Sequence, residues 1–171
     1  PGDHPSDRIQ FGESSTNTIV GTLELNGDVR IEPNASFQGE GTLEGVNIND
    51  TIDLLNGANL SDVSVETVGS VSVDDNGNGV GHVSVAGLTL APSSTLIMDL
   101  AGSNNSVEQD LINVLDMVEL NGLLKVGVVE GFFVETNQSY TIINANSVTG
   151  EFSGVNFAGL GEGYRATAVI H

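Results

Sequence analysis

The sequence predicts an all-β fold of the solenoid type, a parallel β-helix, and three observations carry this prediction. Apolar residues alternate with small polar residues over most of the chain, which is the pattern of strands with one buried face. One short pattern occurs twice, as "VRIEPNASF" at 29–37 and as "LTLAPSSTL" at 88–96. The core residues are mostly Val, Leu and Ile, with 6 Phe, 2 Tyr and no Trp, and they suit a narrow solenoid interior better than a sandwich core.

The predicted strands follow one another along the chain with turn signals between them. The clearest alternating segments are "GTLELNGDVRI" at 21–31, "DVSVETVGSVSV" at 62–73 and "GHVSVAGLTLAPSSTLIMDL" at 81–100. Asn-Gly pairs at 26–27, 56–57, 76–77, 78–79 and 121–122 interrupt the strands, because Asn-Gly supplies the positive φ of tight turns.

One segment, "SVEQDLINVLDMVEL" at 106–120, is compatible with two kinds of structure. Its apolar residues also fit one face of a helix, and Ser106 with Gln109 would form a capping box. We favour strands, because "LINV" and "MVEL" read as strands that flank a turn.

The repeated pattern is explained if successive coils stack, since one coil cannot bury its apolar face alone. A degenerate third copy, "LLNGANLSDVSV", lies at 54–65. Stacking would then place Phe37, Leu60 and Leu96 in one continuous core column. The alternative is a β-sandwich or jelly roll, with Pro33 and Pro92 at edge turns.

We expect a single β-helix domain over residues 1–171. Its repeat coils would occupy about 1–100, and its C-terminal coils and cap about 101–171. Because the chain begins "PGDHPSDR", we expect a processed product or a piece of a longer protein.

The charge balance excludes several classes of partner. The chain has 23 Asp and Glu but only 4 Lys and Arg, which gives a formal net charge of −19. No basic surface is left for nucleic acid or for an anionic membrane. Such a chain repels itself at low salt, and both general solubility in a saline habitat and a specific calcium role are compatible with it.

Two further absences restrict the chemistry. The chain has no Cys, which excludes disulfides, thiol catalysis and Cys-based zinc or iron–sulfur sites. No apolar run approaches the roughly 20 residues that a membrane-spanning helix needs. We therefore expect no membrane insertion.

The second half of the chain resembles the C-terminal part of bacterial autotransporter-type passenger domains and related repeat-rich secreted proteins. The resemblance covers roughly 80–155 and rests on the order of several short motifs. These motifs are Leu90, Pro92, Ser94 and Leu96; Asp110 to Val114; Gly122, Leu124 and Val126; Tyr140 to Ala145; and Gly150 with Phe152. The resemblance implies a right-handed parallel β-helix that is secreted or displayed on a bacterial cell surface and capped by its C-terminal coils.

The sequence offers little evidence for catalysis. A Ser-His-Asp triad needs a positioned His, but His4 and His171 lie near the chain ends, and no G-x-S-x-G or phosphate-binding motif occurs. Asp74 and Asp75, followed by His82, resemble the acidic pairs of some β-helix polysaccharide hydrolases. Because Asn-Gly-Asn-Gly stands between them, we favour a turn.

The same stretch partly fits a calcium loop. Asp74, Asn76 and Asn78 occupy alternate positions and Gly79 follows, as in D-x-N-x-N-G. The twelfth position, where a complete loop carries Glu, is Val85. We therefore predict, at most, a truncated calcium site, and no other metal or cofactor.

These observations lead to a prediction of function. We expect a non-catalytic extracellular structural module: a surface stalk, a passenger segment or a fibre subunit that associates with itself through strand edges or solenoid ends. Salt or calcium would promote this association by screening the charge. The alternative is a glycan-binding or carbohydrate-active protein, with Tyr140, Tyr164 or Phe132 lining a groove beside Asp74 and Asp75.

Overall fold

The computed structural model describes residues 9–12, 14–25, 29–31, 35–38, 41–45, 51–61, 63–74, 79–102, 108–132, 134, 137–161 and 167. Every regular element in these ranges is a β-strand. No helix of the described residues is long and apolar enough to cross a membrane.

The strands are short in the first half of the chain and longer in the second. In chain order they are β1 Ile9–Phe11, β2 Thr16–Thr18, β3 Gly21–Leu25, β4 Val29–Ile31, β5 Ser36–Gln38, β6 Gly41–Gly45, β7 Thr51–Leu55, β8 Asn59–Leu60, β9 Val63–Thr67, β10 Ser70–Asp74, β11 His82–Val85, β12 Leu88–Leu90, β13 Thr95–Leu100, β14 Leu111–Leu120, β15 Leu123–Val128, β16 Ile143–Gly150 and β17 Gly154–Ala158.

These strands form two sheets. Sheet A has seven strands in the order β1-β4-β7-β10-β13-β15-β17, and sheet B has ten strands, β2-β5-β8-β11-β14-β12-β9-β6-β3, with β16 beside β14. All ladders between these strands are parallel. An isolated antiparallel bridge joins Leu100 to Gln109.

The chain visits the two sheets in a repeated order, and we call one strand of sheet A with the sheet B strands that follow it a layer. In the first four layers, sheet B receives two short strands, one for each of two arms. Arm one contains β2, β5, β8 and β11, and arm two contains β3, β6, β9 and β12. The ten-residue β14 joins the arms, because it pairs with β11 near Ile112 and with β12 near Val118.

The core follows directly from the alternation in the sequence, because every second residue of a strand faces the same side. On sheet A, one inward column runs through adjacent strands and is almost completely buried. Its members are Val29, Ile52, Val71, Leu96 and Leu124, each at most 2% exposed. Medium-sized branched side chains recur at this position because each one packs on the equivalent residue of the next layer.

The fold class predicted from the sequence is wrong in its architecture. The strands form two parallel sheets, and sheet A is a half-barrel of seven parallel strands without helices, which is closer to a parallel barrel-like sheet than to the predicted right-handed parallel β-helix. The β-sandwich or jelly-roll alternative is also wrong, because those folds are antiparallel. Alternation identifies strands and their buried face, but it does not specify how the sheets curve.

The predicted single core column is wrong as well. Phe37 and Leu60 are neighbours on β5 and β8 of sheet B, since Ser36 pairs with Asn59 directly before them. Leu96 lies on β13 of sheet A, beside Val71 and Leu124. All three side chains belong to the same hydrophobic core, but they reach it from different sheets.

The repeated pattern occupies two different places in a layer. The copy at 29–37 begins with β4 of sheet A and ends in β5 of sheet B. The copy at 88–96 begins with β12 of sheet B and ends in β13 of sheet A, with the exposed Pro92 at the corner between them. The repeat therefore encodes a strand, a corner and a strand, and not one coil of the fold.

Candidate functional site

The long connections of the protein lie at one corner, where the chain passes from sheet A to sheet B. In early layers this passage is short, for example from Leu55 to Asn59, but it lengthens between Leu100 and Leu111 and between Val128 and Ile143. We define the loop corner as the described residues 79–82, 99–102, 108–110, 129–132, 134 and 137–142. Binding and catalytic residues are frequent on such connections, so this corner is the candidate site.

Asp110 is the central polar residue of the loop corner. Its side chain is completely buried. The Oδ1 atom accepts a hydrogen bond of 2.7 Å from the Gly81 N–H, and the Oδ2 atom accepts one of 2.6 Å from the Asp99 N–H. Both bonds are charge-assisted, and they join the residue before β11 to a strand of sheet A.

Backbone hydrogen bonds connect the loops of successive layers around Asp110. Its own N–H donates to the Asp99 carbonyl at 2.8 Å, and the Leu111 N–H donates to the Gly81 carbonyl at 2.9 Å. Further along, the Val129 N–H donates to the Leu100 carbonyl at 2.9 Å. In the described parts of the loop corner, backbone hydrogen bonds therefore continue from the sheets into the loops.

His82 and Tyr140 take part in the same network. His82 Nε2 lies 3.1 Å from the Gln109 carbonyl oxygen, and the His82 N–H donates to Asn56 Oδ1 at 3.0 Å. The Tyr140 hydroxyl donates to the Gly102 carbonyl at 2.5 Å. The His82 and Tyr140 side chains therefore connect backbone segments of neighbouring layers. A general acid or base would instead have to reach a proton of the substrate.

The chemistry available at the loop corner is limited. Within the described ranges, no group of three or more His, Cys, Asp and Glu residues is placed to hold a metal ion. Phe132 is 43% exposed, and Asn137, Gln138 and Ser139, later in the same connection, are also exposed.

The predicted calcium residues lie mostly outside the described part of the chain. Asp74 ends β10, but its side chain, like Asp75, Asn76 and Asn78, is outside the described residues. Gly79 is described and has a φ of 104°, as a turn glycine requires. The calcium site therefore stays a prediction.

The three aromatic residues of the predicted glycan groove differ in their surroundings. The Tyr140 hydroxyl is engaged by Gly102, whereas Phe132 is accessible. Tyr164 lies outside the described residues. The groove therefore also stays a prediction.

Asp110 was not identified from the sequence as a functional or structural centre, although a signal exists. It alternates in phase with Ile112 and Val114, which are 0% and 3% exposed, so the pattern places a carboxylate on the buried face. A buried carboxylate needs hydrogen-bond donors. Only the fold shows that two backbone N–H groups from distant positions supply them.

A second charged feature lies on the outer face of arm two. Glu24, Glu44 and Glu66 are direct neighbours on adjacent parallel strands, and the same column continues through Thr89 and Glu119. Like charges at directly opposed positions destabilise a sheet. We call this column the glutamate ladder.

Comparisons with known proteins find no matching protein family, no matching curated protein and no matching solved structure.

Proposed function

We propose that this protein is a non-catalytic extracellular structural module that associates with further copies of itself through the open edges of its sheets. The observation that carries the proposal is the order of sheet A, which begins with β1 and ends with β17. Among the described residues, β1 and β17 are the two edge strands of this half-barrel. Each edge strand has backbone N–H and C=O groups on one side that can pair with another strand.

The direction of the backbone groups can be worked out for β17. The Leu123 N–H donates to the Ser94 carbonyl at 2.9 Å, so the backbone groups of Leu123 point toward β13 and those of Leu124 point toward β17. Backbone groups alternate in direction along a strand. Because Leu124 is in register with Val155, the N–H groups of Gly154, Asn156 and Ala158 face β15, whereas those of Val155 and Phe157 point away from it.

The loop corner supports a role without catalysis. Asp110 and His82, the buried acid and the histidine of this corner, bind backbone groups of neighbouring layers. A general base must instead lie within reach of a substrate proton. Asp110 and His82 are thus engaged in holding the fold.

The charge of the chain suggests how association is controlled. A net charge of −19 opposes the approach of two copies, and salt screens this repulsion over about 10 Å at 0.1 M. The proposal therefore includes dependence on salt, or on calcium as a more efficient counterion. Calcium enters only as a cation in solution, with no defined site.

Sedimentation velocity over a range of protein concentrations tests the proposal. We expect monomers at low ionic strength and larger species at high sodium chloride. Calcium and magnesium at equal ionic strength, each with and without a chelator, separate general screening from calcium binding. A single monomeric boundary under all conditions would contradict the proposal.

A matched pair of variants tests the role of the edge. Val155→Pro removes an outward N–H without removing a hydrogen bond to β15, as proline is tolerated on edge strands. Val155→Ala keeps that N–H and shortens the same side chain. We expect Val155→Pro to shift assembly to at least several-fold higher protein concentration than Val155→Ala.

A further inference from the structure

We infer that two copies form a symmetric dimer through their C-terminal ends, in which β17 of each copy pairs antiparallel with the second half of β16 of the other. This inference rests on the proposed self-association and specifies which surfaces meet. Four features support it: the unequal extent of the two sheets, the direction of the backbone groups, the packing of apolar side chains and the charge of the edge strands.

The two sheets end at different levels. Strand β15 of sheet A and strand β16 of sheet B belong to the same layer, and β17 stacks on β15 as the first strand of the next layer. Among the described residues, no strand of sheet B follows β16. The C-terminal end therefore has the shape of a step, with β17 on the upper level and, beside β16, a strand position that no described strand occupies.

A step of this shape is complementary to itself. A two-fold axis perpendicular to the stacking direction, at the level of β17, exchanges the position of β17 with the position beside β16. The rotation places β17 of each copy on β16 of the other, and the paired strands run in opposite directions. Such a contact uses the same surface on both copies and closes as a dimer, which is the commonest symmetry of soluble oligomers.

The lengths of the strands assign the contact to the second half of β16, residues 147–150, which continues arm two. The first three strands of arm two, β3, β6 and β9, have five residues each, and β17 also has five. The strands of arm one have two to four residues. The corner at 151–153 joins this half of β16 to β17, so an axis that exchanges sheet A with arm two passes beside this corner.

The direction of the backbone groups on the open side of β16 follows from the bonds of arm two. The Val65 N–H donates to the Gly87 carbonyl at 2.9 Å, so Gly87 points toward β9 and the next residue, Leu88, points toward β14. Leu88 is in register with Val118, and Val118 is in register with Val148. Register partners in a parallel ladder point in the same direction, because each residue bonds to the two neighbours of its partner. The backbone groups of Val148 therefore point away from β14.

The two edges have the phase that antiparallel pairing requires. On β17, the backbone groups of Val155 and Phe157 point away from β15, as described above. In an antiparallel pair, two directly opposed residues can exchange both of their N–H···O=C bonds. Val148 of one copy and Phe157 of the other can therefore form such a hydrogen-bonded pair. The same register places Asn156 opposite Thr149, as a pair without direct hydrogen bonds.

This register also brings apolar side chains together on the inner face. Val148 and Phe157 contact the core but are only partly buried, and Val155 is 38% exposed. In the dimer, Phe157 of one copy would lie beside Val148 of the other, and Val155 would lie opposite Gly150, which has no side chain in its way. Burial of this apolar surface stabilises the contact.

The edge strands of this contact carry no charge. Native proteins guard exposed edges with charged residues or proline, but INANSVTG in β16 and GVNFA in β17 contain neither. The only charged residue in the sequence from 143 to 158 is Glu151, which is exposed in the corner beside the axis. The two copies of Glu151 would approach each other there, so salt should promote the dimer by screening their repulsion.

Cysteine variants provide the test, because the chain has no Cys. Opposed residues of an antiparallel pair without direct hydrogen bonds have Cα atoms about 4.5 Å apart, which is within the range of a disulfide. We would oxidise Thr149→Cys and Asn156→Cys, each alone and in an equal mixture, under assembling conditions and identify the products by mass without reduction. We expect the mixed dimer to exceed both homodimers at least tenfold, and reduction to restore monomers.

The double variant Thr149→Cys/Asn156→Cys tests whether the contact closes. In the symmetric dimer both cysteines of one copy face the same partner, so complete oxidation should give covalent dimers and almost no larger covalent species. An open arrangement, in which each cysteine meets a different copy, would give a series of covalent oligomers. Thr89→Cys, on the outer face of arm two away from the end, is the control and should form no disulfide with Asn156→Cys.

The possible outcomes separate the two proposals. If the wild type stays monomeric under all conditions, both the self-association and the symmetric dimer are wrong. If the wild type assembles but the mixture gives no mixed dimer, the single variants give homodimers, or the double variant gives larger covalent oligomers, only the symmetric dimer is wrong. Circular dichroism identifies any variant that fails to fold, and a second pair in the same register, Ser147→Cys with Ala158→Cys, then decides.

Discussion

Replacing Asp110 with asparagine tests whether this buried carboxylate holds the loop corner together. Asp110 is fully buried, and each of its two oxygens accepts a hydrogen bond from a backbone N–H. Asparagine has almost the same shape but offers one acceptor and one NH₂ group. Whichever way the amide is turned, one backbone N–H, of Gly81 or of Asp99, then faces a donor.

The expected cost follows from the two bonds. A hydrogen bond to a charged group contributes about 1.5–3 kcal/mol, and a buried donor without an acceptor costs about 1–3 kcal/mol. The two energies cannot be added, because both describe the loss of the same hydrogen bond. Asparagine is also uncharged, so its burial costs less desolvation free energy than that of the carboxylate, which offsets part of the loss. We therefore expect Asp110→Asn to lower the free energy of unfolding by about 2–3 kcal/mol.

Urea unfolding monitored by circular dichroism measures this change, with Asp116→Asn as the matched control. Asp116 is exposed on β14, so its substitution should change stability by less than about 0.5 kcal/mol. Amide hydrogen exchange should also accelerate selectively at Gly81 and Asp99. If Asp110→Asn is as stable as the control, the two bonds do not outweigh the burial of the charge and the reasoning is refuted.

Three further predictions concern the core, the surface charge and the corners. Leu54→Ala removes a completely buried side chain and should cost about 2–5 kcal/mol in urea unfolding, whereas Leu115→Ala, at a side chain that is 46% exposed, should cost much less. Glu44→Gln relieves repulsion in the glutamate ladder and should stabilise by about 0.2–1 kcal/mol at low salt, a gain that 1 M salt should abolish; the exposed Glu130→Gln should show no comparable gain. Gly122→Ala would place a Cβ atom 2.3 Å from the Ser94 hydroxyl oxygen, so its thermal midpoint should fall by several degrees, and an unchanged midpoint would contradict this packing.

Local structure was predictable wherever a local rule decides it. The alternation around Val71 and Val73 predicts β10, and both side chains are buried. The Asn-Gly pair at 56–57 predicts a turn, and Gly57 has a φ of 83° between β7 and β8. The preference for strand over helix within 106–120 is also confirmed, but the predicted turn between "LINV" and "MVEL" is wrong, because Leu111–Leu120 forms one strand.

The arrangement of the sheets was not predictable by the same rules. The period-two pattern of Leu88–Leu90 is the same as that of Val29–Ile31, yet one strand lies in sheet B and the other in sheet A. The corners between strands decide this difference. Their geometry depends on which layer already lies beneath them, and no local sequence signal carries that information.

At the candidate site, too, the sequence predicts the local structure but not the contacts between distant residues. The loop corner collects residues from three successive layers, and their contacts, such as that between Tyr140 and Gly102, join positions that are far apart in the sequence. Period and composition could indicate that loops exist there. They could not indicate that the Asp110 carboxylate would be satisfied by the amides of Gly81 and Asp99.

The placement of all long connections at a single corner has a consequence for changes in chain length. Within the described chain, Ala86 and Gly87 alone link β11 to β12, and an added residue there would shift the phase of the following strand. Between Gly131 and Ile142 the described residues form no strand, so extra residues can be accommodated beside Gln138 without changing the spacing of the sheets. An epitope tag or a small folded domain inserted beside Gln138 would thus be carried as an appendage, while the same insertion at Gly87 would disrupt the protein.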